Sequence, residues 1–186
     1  MKTPVTEMLQ AEYPIFAFSH CRDVVAAVTG AGGFGVLGAV AHTPEQLEAD
    51  MSWIDQQVHG LPYGVDLLMP RKFVGAESGG ADRASLRDMI PAEHRAFLDD
   101  LLERYGIPPQ KAAAPGSRQP PGQRAGLQVD PKSMAPLIDV AFRHPIRLIA
   151  SALGSPPGWL VEDAHQRGIK VAALAGRVKQ IGRAHV

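Results

Sequence analysis

The sequence predicts an α/β fold on a parallel sheet, and three observations carry that expectation. Short apolar runs alternate with stretches of helical spacing. The runs at Tyr13–Phe18, Phe34–Gly38 and Pro62–Met69 are almost continuously apolar, as strands covered on both faces are. Helix start and stop signals fall between them.

Each element has its own justification. The first run, Tyr13–Phe18, is short and β-prone and ends in Ser19-His20. A helix over 22–29 follows with Val24, Val25 and Val28 on one side, and Gly30 to Gly33 stop it before the second buried strand, Phe34–Gly38. Thr43 is an N-cap, Pro44 takes the first helical position and Gln46 completes a capping box. Leu47, Met51, Ile54 and Val58 then recur at helical spacing until Gly60, and a third strand covers 62–69. Strand and helix alternating within 70 residues imply consecutive βα units. The rhythm breaks over 71–130, which holds a helix at 91–105 and a stretch, 108–126, with five Pro and three Gly. That segment reads as an insertion after strand three. The rhythm returns with a helix at 131–143, a strand Ile146–Ser151, a helix at 157–167, a strand Ile169–Ala173 and a helix beginning near Gly176.

Composition excludes several classes of function. At ~150 residues per domain, 186 residues make one domain. Lys and Arg number 19 and Asp and Glu 19, so neither nucleic acid nor an anionic membrane is an expected partner. A single cysteine excludes a disulfide framework and a thiolate-rich zinc site. The seven histidines lack metal-ligand spacing, so no metal is expected. No apolar run approaches the ~20 residues of a membrane span, and MKTPVTEMLQ lacks the apolar core of a signal peptide. The expected location is cytoplasmic.

Gly30-Ala31-Gly32-Gly33-Phe34-Gly35 matches G-x-G-x-x-G, but it follows a helix and opens a strand. A dinucleotide site needs the reverse order, so the segment reads as a tight helix-to-strand turn. Cys21 reads as a small buried packing residue. In βα folds ligands meet the C-terminal ends of strands. There His20 offers a titratable ring, either at a site or bonded to a neighbouring loop, and is a weak candidate for the substrate side. Asp66 is a carboxylate inside an apolar strand, so it faces a polar site or is paired.

Thr3-Pro4, Tyr13-Pro14-Ile15, Ala31 to Gly38, Pro62 to Leu68 and Gly168-Ile169-Lys170-Val171 together resemble the nitronate monooxygenase family. The resemblance implies a partial (β/α)8 TIM barrel of about five βα units, with FMN as cofactor and a nitronate or nitroalkane plus O2 as substrates. It also implies that the flavin ring lies against the backbone of Ala17, Phe18 and Ser19. Asp66 stands where the family usually has an FMN-contacting Asn, and Lys170 opens strand five pointing inward, where an ion pair with an inner carboxylate is its alternative role. An ionised Asp accepts hydrogen bonds but donates none, unlike Asn.

The family's catalytic base, a His after strand six, would lie beyond residue 186, which leaves the catalytic residue unknown. Ile181–Val186 match a one-frame translation of a sequencing adapter, so 181–186 read as a non-native tail and His185 is no catalytic candidate. Residues 1–180 then read as the N-terminal part of one FMN-binding barrel domain, short of the ~250 residues of a whole one, and inactive by itself. Two other readings stand beside this one. The first is an NAD(P)H-dependent flavin oxidoreductase or enoyl-reductase-like member of the same scaffold. The second is a non-catalytic fragment prone to aggregate through its open sheet edge.

Overall fold

A computed structural model of the chain describes residues 2–69, 88–108 and 131–175. The elements are α1 (Pro4–Leu9), β1 (Phe16–Ser19), α2 (Arg22–Gly30), β2 (Phe34–Gly38), α3 (Pro44–Val58), β3 (Gly64–Asp66), α4 (Ala92–Arg104), α5 (Pro131–Ala141), β4 (Leu148–Ser151), α6 (Gly158–Gln166) and β5 (Lys170–Ala173). The chain divides into two compact units, Met1–Phe73 with Ala125–Val186, and Val74–Arg124. In the second, α4 leaves Phe97 and Leu98 exposed. No helix among the described residues is long and apolar enough to cross a membrane.

In the first unit the five strands are parallel and lie side by side in chain order. Their register fixes which side chains share a face. Phe18, Val36, Gly64, Leu148 and Lys170 form one row, and Gly38, Asp66, Ala150 and Ala172 form the row two residues further on. The residues between them, Leu37, Val65 and Ile149, point the other way. They enter the main core with Val25 of α2, Leu47, Met51 and Ile54 of α3, Leu137 of α5 and Leu160 of α6. One face therefore packs on helices; the other carries Asp66.

Glycine lets α2 come close. A Cβ at Gly35 would lie 2.9 Å from the Thr29 hydroxyl and closer still to the Val25 carbonyl. Gly32, at φ +86, makes the turn from α2 into β2, and its carbonyl accepts from the N–H groups of Glu12 and Tyr13. The G-x-G-x-x-G segment is thus a packing turn at the N-terminal end of the sheet.

Several expectations need correction. Helix α1 was not foreseen, although Thr3 and Thr6 form a capping box with Pro4 at the helix start, much as Thr43, Gln46 and Pro44 do for α3. Leu9 of α1 packs with Phe34, Val36 and Leu148 in a second small core on the Asp66 face. The first strand is not covered on both faces. As an outer strand of this sheet β1 has a neighbour on one side, and Phe16 and Phe18 are 45% and 56% exposed. Val24 also stands exposed on α2 while Val25 is buried. Cys21 is exposed, not packed, because it precedes the first turn of α2 with its N–H turned to the Ser19 hydroxyl. The third strand is shorter than its apolar run, Gly64–Asp66, with Pro62 and Tyr63 leading into it. The segment 71–87, most of the Pro/Gly stretch, the helix near Gly176 and the tail 181–186 lie outside the described residues.

Candidate active site

The polar groups on the Asp66 face gather at the C-terminal ends of the first three strands. Asp66 ends β3 and is 8% exposed. Burial pushes its carboxyl up to about 6, against the opposing pull of the His20 charge and of a hydrogen bond from the Ala152 N–H. The carboxyl is therefore partly protonated near neutral pH, and in that form it can donate a hydrogen bond.

His20 follows β1 directly, and its Nδ1 lies 2.9 Å from the Gly38 carbonyl. A carbonyl only accepts, so Nδ1 carries the proton in this bond. The Phe18 ring meets the imidazole edge-on, with centroids 5.0 Å apart. Gly38 is what permits this placement, since a Cβ there would overlap the His20 ring and crowd Phe18. Gly38 is also the register partner of Asp66. A glycine on the middle strand thus lets a ring from one neighbour approach the carboxyl of the other.

The remaining sequence-derived residues fall around this pair. Ala17 and Ser19 alternate with Phe18, and the Ser19 hydroxyl accepts from the Cys21 N–H at 3.0 Å. Lys170 opens β5 on the Asp66 face, exposed, its own N–H donating to the Arg147 carbonyl. Its side chain forms no ion pair among the described residues. The structure therefore brings His20, Phe18 and Asp66 together and leaves Lys170 two strands from Asp66. Sequence reasoning missed Gly38 as a spacer; a glycine ending an apolar strand was the available signal. It also missed Ser151, whose buried hydroxyl has no partner among the described residues.

Beside the site, Arg22 donates to Asp50 at 3.1 Å while stacking over Trp53, and His42 meets the other Asp50 oxygen at 3.1 Å. At the N-terminal end of the sheet the polar groups are tied together differently. Asp55 accepts from the Tyr63 hydroxyl at 2.7 Å and meets His144 Nδ1 at 2.6 Å. Burial, then Asp55 itself, pushes the Tyr63 hydroxyl far up. Glu48 accepts from Arg143 at 2.6 Å, a bond that holds its carboxyl below the usual range, and lies 3.4 Å from His144 Nε2.

A parallel sheet in chain order, helices on one face and polar groups at the C-terminal strand ends define the architecture of (β/α)8 barrel enzymes. A nitroalkane oxidase structure from Streptomyces ansochromogenes, itself such a barrel, superposes with a TM-score of 0.63 at 17% identity, over 98% of this chain and 45% of that one. The chain folds as part of such a barrel.

The sequence model of the nitronate monooxygenase family matches residues 2–185, and the chain belongs to that family. A Mycobacterium tuberculosis protein named "putative monooxygenase" is 57% identical over 98% of this chain and 48% of its own length. A Staphylococcus saprophyticus protein named "probable nitronate monooxygenase" is 36% identical over 97% of this chain and 44% of its own. The chain spans about half the length of these curated relatives. The family is flavin-dependent.

Proposed function

We propose that the chain serves flavin-dependent oxidation of nitronates or nitroalkanes, with FMN as the flavin and O2 as the final electron acceptor. The observation that carries the reading is Asp66. Its carboxyl, at the C-terminal end of β3 and pushed up to about 6, can present the hydrogen-bond donor that an Asn would offer at this position. The donor set also fits a flavin: the backbone of Ala17, Phe18 and Ser19 ends an outer strand, and Lys170 stands on the Asp66 face.

When bound, the flavin supplies the two-electron acceptor chemistry that amino-acid side chains lack. The chain's own share is to bind and orient. Asp66 offers a proton toward the cofactor, the end of β1 gives the ring a backbone edge, and Lys170 adds a positive charge. The barrel units are interrupted after β3 by residues 71–130, read here as an insertion; the compact unit Val74–Arg124 supports that reading.

The test is FMN affinity and nitronate-dependent O2 consumption in the gene product that carries this sequence. Asp66→Asn should keep FMN, while Asp66→Leu should weaken it by about tenfold or more, the worth of one buried polar contact. Equal affinity in all three proteins, or no O2 consumption with nitronate in the wild type, would remove the reading.

A further inference from the structure

We propose that Arg22 and Asp50 are a positioning pair: they hold the β1–α2 corner, and with it the strand end proposed above as the flavin's backbone edge. The proposal rests on that reading of the function and names the side chains that keep its β1 edge in place.

The corner needs holding. As an outer strand of this sheet, β1 has a strand neighbour, β2, on one side. Its last residue, Ser19, is followed by His20 and Cys21 before α2 begins at Arg22. His20 ties this stretch to the Gly38 carbonyl of β2. Arg22 ties it to α3, through an Nη1–H that donates to Asp50 Oδ1 at 3.1 Å. Asp50 and Trp53 stand three residues apart on α3 and so share a face of it. Together they grip the guanidinium: the carboxylate takes a donor, and the Arg22 Cζ stands over the indole, 4.7 Å from its centroid.

Asp50 is itself fixed from behind. A carboxylate only accepts, so its other oxygen takes the His42 Nε2–H at 3.1 Å. His42 is 4% exposed, and its backbone N–H donates to the Ala39 carbonyl just past β2. Its Nδ1 has no partner among the described residues, so the bond to Asp50 is the polar anchor of a buried ring. A run of contacts thus leads from the end of β2 through His42 and Asp50 to Arg22 and back to the end of β1. The ion pair adds little to stability, because its side chains are 38% and 27% exposed and water screens them. What it fixes is place, since two contacts on one guanidinium narrow where the first residue of α2 can lie. Arg167 repeats the chemistry elsewhere: it donates to Asp163 at 2.9 Å and stands over Phe142 at 4.5 Å, where α6 leads into the N-terminal end of β5.

The experiment uses the gene product that carries this sequence and two readouts, FMN affinity from flavin fluorescence and the NMR signals of the His20 ring. Arg22→Met keeps a stem over Trp53 and removes the donor to Asp50. It should weaken FMN binding by about tenfold, the worth of one displaced polar contact, and shift the His20 signals. Its unfolding equilibrium should change by less than about fivefold, so lost folding cannot account for the weaker binding. Arg22→Lys, which keeps a donor, should recover part of the affinity. Asp50→Asn leaves one acceptor oxygen for two donors and should weaken FMN by about threefold or more; a direct pull of the Arg22 charge on the flavin phosphate would make this variant bind tighter. Arg167→Met removes the same kind of bond and should change neither readout. Either readout unchanged in Arg22→Met, tighter FMN binding in Asp50→Asn, or an equal loss in Arg167→Met would overturn the positioning pair. Wild-type protein that binds no FMN would overturn the function instead, and the His20 signals of Arg22→Met would then decide for or against the pair.

Discussion

The two ends of the sheet each join a histidine to an aspartate, and they do it in opposite ways. At the N-terminal end His144 and Tyr63 both bond directly to Asp55, and Arg143 and Glu48 close the group. At the C-terminal end His20 bonds to a backbone carbonyl instead, and Asp66 takes a single backbone N–H while burial opposes its charge. The first arrangement spends its polar atoms on one another and joins α3 to the segments leading into β3 and β4. The second keeps a carboxyl pushed up to about 6 beside an imidazole, at the end where barrel enzymes work. Similar residue types thus take part in a side-chain clasp at one end and meet backbone groups at the other.

The comparison breaks most readily at the clasp. Asp55→Ala strands the buried Tyr63 hydroxyl and His144 Nδ1 and should cost about 3 kcal/mol, read from the denaturant midpoint. A loss below about 0.5 kcal/mol would mean the network holds nothing together. Gly38→Ala should cost less, about 1–2 kcal/mol from overpacking, yet it should displace His20 and shift its ring resonances. Little change in those resonances would show that the ring is not held by Gly38.

Asp66 gives a prediction of opposite sign. Its folded pKa is raised, so its contribution to stability is fully present below its ordinary value of 3.8 and is lost as pH rises through about 6. Asp66→Asn should therefore be more stable than the wild type by about 3 kcal/mol at pH 8, a difference that fades as pH falls through 3.8. Glu48, whose carboxyl the Arg143 bond holds below its usual range, would show the reverse. The smallest effect is expected at α1, where Thr3→Ala removes the helix cap and should cost about 0.5–1 kcal/mol. A loss above 2 kcal/mol would show that α1 and its Leu9 contact are coupled to the whole sheet.

Much of this was legible in the sequence, for identifiable reasons. Helix α3 announced itself through Thr43, Pro44, Gln46 and four residues at helical spacing, and its bounds are those expected, Pro44–Val58. Strand β2 was equally plain, because a parallel strand inside a sheet is apolar throughout. The same rule misled at β1, since local composition carries no record of a strand's place in the sheet. Helix α1 was missed although its cap repeats the signal of α3; its six residues have room for little periodicity. At the site, Asp66 stood out as a charge within an apolar run. The influence of His20 on it did not, because the two stand on either side of β2 and their placement depends on Gly38, whose meaning appears only once the register is known. The Asp55 clasp was illegible for the same reason: its members lie 8 and 89 residues apart.

The central claim is that the C-terminal edge serves a flavin that takes electrons from a nitronate. Anaerobic mixing of the FMN-loaded gene product with a nitronate, followed by flavin absorbance, tests it most directly. Rapid bleaching by the nitronate, with none by NADH or NADPH, is the expected result. Bleaching by a reduced nicotinamide alone would contradict the account and assign the scaffold to a flavin reductase.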